Sequence, residues 1–285
     1  MPAVFGSEAL RPLSEAEFRL FRDLVYREAG IHLSSAKTAL LVSRLIKRVR
    51  ELGLRSFHEY YAAVKADPEE KRHMLERMCT HETHFFREPK QFAFLEQRLI
   101  PEWKRLAAAG RRPRRVRCWS AGCSSGEEPY SLAMLLLSEL PPEAGWSVEI
   151  AATDLSAAVL EKARRGVWPI AKAEEIPAGY RTRFMLRGLR KRAGFTKAGQ
   201  EVRSVVRFQQ LNLHDERLSL PGCFDLVLCR NVLIYFDVES RKAAVRRLVD
   251  VVAPGGCLLL GHAETLNGLS DRLHSVGPAI YARPT

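Results

Sequence analysis

The sequence predicts an α/β fold with a parallel-dominated sheet, preceded by an all-helical module. Three observations lead there. A glycine-containing turn at residues 117–130 joins a strand-like run to an apolar helix. Strand and helix patterns alternate from about residue 90 onward. Residues 14 to about 80 carry helical signals and no strand alternation. At 285 residues the chain has room for one large α/β domain plus a smaller one.

Ser14 and Glu17 make a Ser-x-x-Glu capping box before Phe18, Phe21, Leu24 and Val25, and Gly30 ends that helix. Ser34 or Ser35 caps a second helix expected to run to Gly53. Residues 56–66 and 68–78 read as two shorter helices, punctuated by Asp67-Pro68. A helix over 90–109 leads through Gly110-Arg-Arg-Pro113 to a strand at 116–119, and the next helix starts at Glu128. Strand 148–152, helix 157–165, strand 224–229, helix 239–252 and strand 257–261 follow, with a last strand at 279–282. Between 167 and 208 the alternation breaks, and 183–187, 194–199 and 202–208 read as short strands separated by glycine-containing turns. They predict an antiparallel subdomain inserted into the α/β domain. The expected domains are residues 1–82 and 83–285, with the insert at 167–208.

Composition narrows the class. Hydrophobic residues make up 46% and charged residues 27%, values of a soluble globular protein. The longest mostly apolar run, 131–140, is too short to span a bilayer. Met1-Pro-Ala-Val-Phe-Gly6 lacks the basic start of a signal peptide, so a cytoplasmic protein is expected. Six cysteines contain no Cys-x-x-Cys pair, and several sit inside apolar strand-like runs, where they read as small core residues. The net charge of +12 is concentrated at 37–55, 104–117 and 181–203. It calls for an acidic partner, which by charge alone is nucleic acid, anionic lipid or an acidic protein.

Chemistry concentrates in the turn Ser120-Ala-Gly-Cys-Ser-Ser-Gly-Glu-Glu-Pro-Tyr130. Gly122 and Gly126 let the backbone bend and approach a ligand, and Pro129 suits a first helical turn. A helix N-terminus attracts phosphate, but Glu127 and Glu128 repel it. A cationic, phosphate-free nucleotide such as S-adenosylmethionine fits better; a plain glycine loop before a core helix is the alternative. Asp154 ends the second strand, where it can hold both ribose hydroxyls or cap the following helix. Arg230 and Asn231 end the run 221–231 at the carboxyl edge of the sheet, where ligands sit. Tyr235 follows one helical turn later, toward the ligand or beside Phe236 in the core. Thr80-His-Glu-Thr-His84 is one residue short of the zinc-binding His-Glu-x-x-His, and no metal is expected. The second helix carries Lys37, Arg44, Arg48 and Arg55, which at about 100° per residue fall within a stripe about 40° wide. A solvated helical face usually mixes signs, so this all-basic stripe reads as a docking surface for an acidic partner.

Several strings together resemble the CheR-type chemoreceptor glutamate methyltransferases. They are Thr83-x-Phe-Phe-Arg87, Ser120-Ala-Gly-Cys-Ser-Ser-Gly-Glu-Glu-Pro-Tyr-Ser131, Ala152-Thr-Asp154, Phe184-Met-x-Arg187, Asn212-Leu213, Cys229-Arg-Asn-Val-x-Ile-Tyr-Phe-Asp237 and Gly261-His-x-Glu264. The resemblance covers about residues 14–283. It implies a Rossmann-like class I S-adenosylmethionine-dependent methyltransferase domain with an inserted small antiparallel β-subdomain, after an all-helical N-terminal domain.

The resemblance also implies that Thr83, Arg87, Glu127, Asp154, Asn212, Leu213, Arg230 and Asn231 contact S-adenosylmethionine. His81 stands where family members often have Asn, so its contact depends on an imidazole of different reach and protonation. The implied reaction converts a glutamate on the cytoplasmic helical region of a membrane chemoreceptor to its γ-methyl ester, leaving S-adenosylhomocysteine. Tyr235 and Arg87 are the candidates for steering the acceptor carboxylate, and the basic stripe would meet the glutamate-rich receptor helix. The β-turn at 190–199 lacks the three-glycine run of tether-binding members, which implies action without a receptor tether. The enzyme is expected to be a monomer that neither enters the membrane nor acts on nucleic acid. Residues 230–235 lack the Pro-Pro-aromatic tetrapeptide of nucleic-acid amino methyltransferases. The other alternative is a non-catalytic cofactor-sensing scaffold, which the acids at the turn and Tyr235 disfavour.

Overall fold

The computed structural model describes residues 10–285. Met1–Gly6, on which the signal-peptide reading rests, and the start of the expected domain 1–82 lie outside the described residues. Two compact units emerge. One runs through Thr80 and includes Tyr235–Asp237, and the other is His81–Ile234 with Val238–Thr285.

The first unit is built from α1 (Glu15–Ala29), α2 (Thr38–Glu51), α3 (Phe57–Ala66) and α4 (Pro68–Met78). The capping box forms as read: Ser14 Oγ accepts the Glu17 N–H at 3.2 Å, and the Glu17 carboxylate accepts the Ser14 N–H at 2.7 Å. Gly30 closes α1 at φ 68°. Phe21 centres the packing, stacked on Tyr60 at 5.9 Å and edge-on to Phe57 and Tyr61. Ser56 and Asp67 cap α3 and α4 through their side chains. The second helix departs from expectation at both ends. A short 3-10 turn, Ser35–Lys37, precedes it, and Ser34 makes no side-chain cap. The chain leaves α2 at Leu52 and turns through Gly53 at φ 68°. Lys37 and Arg55 therefore lie outside the helix. Helical periodicity does not apply to them, and only Arg44 and Arg48 of the stripe share a helical face.

The second unit opens with α5 (Pro89–Phe94) and α6 (Ile100–Ala108), joined by a π turn over Leu95–Leu99. The sequence read one unbroken helix there. Pro101 has no N–H, and its ring clashes with the carbonyl four residues back, so the helix widens just before it. The remaining elements are β1 (Arg115–Ala121), α7 (Glu127–Glu139), β2 (Ser147–Asp154), α8 (Ala157–Arg165), β3 (Val167–Pro169), α9 (Ile170–Ala173), α10 (Ala178–Phe184), β4 (Met185–Arg187), β5 (Phe195–Ala198), α11 (Gln200–Ser204), β6 (Val206–Gln210), β7 (Phe224–Cys229), α12 (Val238–Asp250), β8 (Val252–Leu260), β9 (His274–Gly277) and β10 (Ile280–Ala282).

Seven strands form the main sheet in the order β6-β2-β1-β7-β8-β10-β9. Pairing is parallel from β6 through β8, and β10 and β9 add on antiparallel. Strand order reverses between β1 and β7, which makes the crevice outside their carboxyl ends the ligand-binding position of such sheets. Leu226, Val227, Leu228 and Cys229 are fully buried, as helix-covered parallel strands require. The insert holds a three-stranded antiparallel sheet, β3-β5-β4, with short helices around it. Residues 202–208, read as a third strand of the insert, instead split between α11 and β6, and β6 is the edge strand of the main sheet. The apolar pattern there satisfies either sheet, and pairing with β2 decides it. Cys118, Cys123, Cys229 and Cys257 are buried, and burial pushes their thiols up, so they act as small core residues. Among the described residues no helix is long and apolar enough to cross a membrane.

Candidate active site

Loops leave the carboxyl ends of β1, β2, β6, β7 and β8 around the reversal point. After β1, the N–H groups of Gly122 and Cys123 both donate to the Thr153 carbonyl, at 2.8 and 2.9 Å. Gly122 sits at φ 77°, and a Cβ there would stand 2.4 Å from Val232 Cγ2, so this turn admits only glycine. Ser124, at φ 50°, donates its N–H to Asp154 Oδ2 at 2.9 Å, and Ser156 donates its N–H to Oδ1 at 3.0 Å. Asp154 thus pins the turn to β2, and each of its oxygens retains acceptor capacity. Burial pushes its carboxyl up, against the pull of those N–H groups and of His81.

The two acids at the head of α7 have different roles. Glu127 is buried and accepts the Ser125 hydroxyl at 2.7 Å. Burial pushes its carboxyl up, with the Lys172 cation opposing. Glu128 is fully engaged: Oε1 accepts from Ser120 Oγ at 2.6 Å, and Oε2 pairs with Arg230 Nε at 2.9 Å. Arg230 is itself buried and also donates to the Arg87 carbonyl at 2.7 Å and to Gln91 Oε1 at 3.2 Å. Gln91 in turn donates to the Leu260 carbonyl at 2.8 Å. Arg230 is therefore a brace tying β7, β8, α7 and the segment before α5.

That segment crosses the turn. The His81 carbonyl accepts from Ser124 Oγ at 3.2 Å, and the Thr83 carbonyl accepts from Lys172 Nζ at 2.7 Å. Phe86, at φ 51°, donates its N–H to Ser131 Oγ at 2.9 Å, while Arg87 Nη1 donates to the Glu82 carbonyl at 3.1 Å. After β6, the Leu211 N–H donates to the Asp154 carbonyl at 3.0 Å, which carries Asn212 and buried Leu213 to the same edge.

Asn231 adopts φ 61°, held by a residue the sequence had flagged only within a string. Glu264 is buried and accepts the N–H groups of Gly261 at 2.7 Å, Asn231 at 2.9 Å and Ile234 at 3.2 Å. A Cβ on Gly261 would meet Asn231 and Glu264 at 2.8 Å, so the two turns interlock. Asn231 Oδ1 is buried and accepts no hydrogen bond among the described residues.

His81, Thr83, Arg87, Glu127, Asp154, Asn212, Leu213, Arg230 and Asn231 thus lie in one unit, Asp154 at the end of β2, Glu127 at the start of α7 and the others on connecting segments. Tyr235 does not: it counts with the helical unit, where its carbonyl accepts the His32 N–H at 2.8 Å. The basic stripe also belongs to that unit, where Lys37 Nζ donates to the His32 carbonyl at 3.4 Å. Arg44 donates to the Arg77 and Cys79 carbonyls and to Thr80 Oγ1, closing the end of α4. Arg48 forks onto Glu70. The sequence reading missed Glu128 as the partner of Arg230, and it missed Gln91, Lys172 and Glu264. Only Glu264 had a visible signal, in Gly261-His-x-Glu264.

These residues fit S-adenosylmethionine. Its cationic groups match the buried carboxyl of Glu127, its ribose hydroxyls match the remaining acceptor capacity of Asp154, and a donor would satisfy Asn231 Oδ1. Among the described residues no cluster of His, Cys, Asp and Glu could hold a metal ion.

Comparison with known proteins gives the family. The family described as "CheR methyltransferase, SAM binding domain" matches residues 81–281, and "CheR methyltransferase, all-alpha domain" matches residues 16–79. The chain is 37% identical over 283 residues to "Chemotaxis protein methyltransferase 2" of Pseudomonas aeruginosa, covering 98% of this chain and 96% of that protein. It is 38% identical to "Chemotaxis protein methyltransferase 1" of the same organism, with 95% and 98% covered. It is 36% identical to "Chemotaxis protein methyltransferase" of Escherichia coli, with 95% and 91% covered.

Proposed function

The chain belongs to the CheR methyltransferase family, and from that premise we propose that it methylates glutamate side chains on the cytoplasmic helical region of membrane chemoreceptors. The products are γ-glutamyl methyl esters and S-adenosylhomocysteine, in a chemotaxis-type adaptation pathway. The observation that supports this reading most directly is the buried carboxyl of Glu127 at the head of α7, which would repel a phosphate and suits a cationic group.

When bound, S-adenosylmethionine supplies an electrophilic methyl on a sulfonium. Asp154 would hold its ribose, Asn212 and Leu213 its adenine, and Glu127, Asn231, Thr83, His81 and Arg87 its methionine end. Arg230 keeps Glu128 and the Arg87 backbone in place. An acceptor glutamate with an ordinary pKa near ~4.3 is already ionised at neutral pH, so no general base is required. The remaining task is to align a carboxylate and shield it from water, and Arg87 and Tyr235 are the groups proposed to steer it. On the helical unit, Lys37, Arg44, Arg48 and Arg55 are the residues proposed for receptor docking, Arg44 and Arg48 while also holding the unit itself together. The enzyme would act as a cytoplasmic monomer reaching the membrane through its receptor.

The test is incubation with methyl-labelled cofactor and a receptor cytoplasmic fragment, followed by mild alkali. Label released as methanol from mapped glutamates supports the ester. Alkali-stable label, or label on nucleic acid, overturns it.

A further inference from the structure

Residues 177–200 carry seven cations, Arg181, Arg183, Arg187, Arg190, Lys191, Arg192 and Lys197, and no acid. Arg183 pairs with Glu201 at 3.1 Å, and the other six make no ion pair among the described residues. This contrasts with the helical unit, whose arginines at 44 and 48 have internal partners.

The same segment exposes large apolar side chains: Leu189 is 77% exposed, Leu186 59% and Phe195 47%. Their placement follows from strand register. Lys197 lies opposite both Val167 and Leu186, and Phe195 lies opposite Pro169. Because side chains alternate along a strand, Val167, Pro169, Leu186, Phe195 and Lys197 share the outer face of the small sheet. The inner face holds Trp168, Thr196 and Ala198, all buried. Leu189 stands beyond the end of β4, next to the 3-10 turn Arg190–Arg192.

We propose that this outer face and its arginine turn adsorb to an anionic lipid surface. Exposed aliphatic side chains rimmed by unpaired cations match both layers of such a surface, the headgroup charges and the acyl boundary. A peptide adding to the edge of β4 would leave the apolar face uncovered. A nucleic acid would take up the charge and leave Val167, Leu186 and Leu189 unmatched. The contact is peripheral, made by a headgroup-level patch, and it is independent of the methyl-transfer reading.

The test is co-sedimentation of the full chain with vesicles of phosphatidylcholine alone or mixed with phosphatidylserine. Binding should require phosphatidylserine and weaken with salt. The triple variant Arg190→Glu, Lys191→Glu and Arg192→Glu should lower partitioning about a hundredfold, and Leu189→Ser about tenfold. Melting and methylation of a soluble receptor fragment should stay at wild-type levels in both variants, so a failure of the catalytic reading would show separately. Equal binding to both vesicle types, an unaffected triple variant, or binding to polyglutamate but not to anionic vesicles would each overturn the proposal.

Discussion

Arg48→Ala separates a docking residue from a structural one. Glu70 is 5% exposed, and Arg48 Nε and Nη2 fork onto its oxygens at 3.0 and 2.5 Å. The Tyr60 hydroxyl donates to the same carboxylate at 2.8 Å. Burial acts to raise the Glu70 carboxyl, but the bonds from Arg48 and Tyr60 outweigh it and hold the group below the ordinary carboxylate range. Truncating Arg48 leaves a buried carboxylate with one hydroxyl donor. Breaking a buried pair from one side costs about 3–5 kcal/mol. The Arg48 side chain is 26% exposed, so water reaches the gap and about 2–3 kcal/mol of lost stability is expected. Glu70 has a depressed folded pKa, so its contribution is present above the unfolded pKa and lost as pH falls through the folded one. The gap between wild type and variant should therefore narrow in acid. Urea unfolding at neutral and acidic pH measures both effects, and adding Glu70→Gln should recover much of the loss. An Arg48→Ala variant that unfolds at the wild-type midpoint but shows a raised receptor KM would refute the structural role.

Three further outcomes are expected. Asp154→Ala removes the acceptor of two buried N–H groups and the proposed ribose acceptor. It should cost about 1–3 kcal/mol in S-adenosylhomocysteine affinity and a similar amount in stability, and unchanged calorimetric affinity would exclude the ribose role. Glu127 has a raised folded pKa, so the folded chain binds a proton more tightly than the unfolded one and this group's contribution to stability falls as pH rises through the window between the two pKa values. The ammonium group of S-adenosylhomocysteine favours the ionised form, so its affinity should fall as pH is lowered through that window and flatten in Glu127→Gln; a pH-independent wild type would contradict this. Glu264→Gln turns an amide N–H₂ toward backbone donors, and should lower stability by about 1–3 kcal/mol and weaken S-adenosylhomocysteine binding by loosening Asn231; loss of stability with intact affinity would confine Glu264 to the scaffold.

What was legible in the sequence was what local physics dictates. The capping box at Ser14, the helix over 157–165 and the strand over 224–229 needed only periodicity and caps, and the structure has them at those bounds. The π turn before Pro101 was readable in principle, since a proline inside a helical pattern must displace the bonding. Strand 206–210 was not, because which sheet it joins depends on pairing with a strand more than fifty residues earlier. The site divides the same way. Glycines and acids at the head of α7 pointed to a cationic ligand, because carboxylates there repel the phosphate a helix N-terminus otherwise attracts. The partners of Arg230 could not be foreseen. A cation at the end of a strand reads equally as a ligand contact or a brace, and only the Glu128 carboxylate at 2.9 Å decides between them. The basic stripe raises a related point. Charge counts locate cations, and they do not say which are already neutralised: Arg48 is spent on Glu70, whereas six cations of the insert have no ion-pair partner among the described residues. Where an acidic surface meets this chain is therefore decided by the pairing of each cation, and on that ground the inserted sheet, more than α2, is where unspent charge remains.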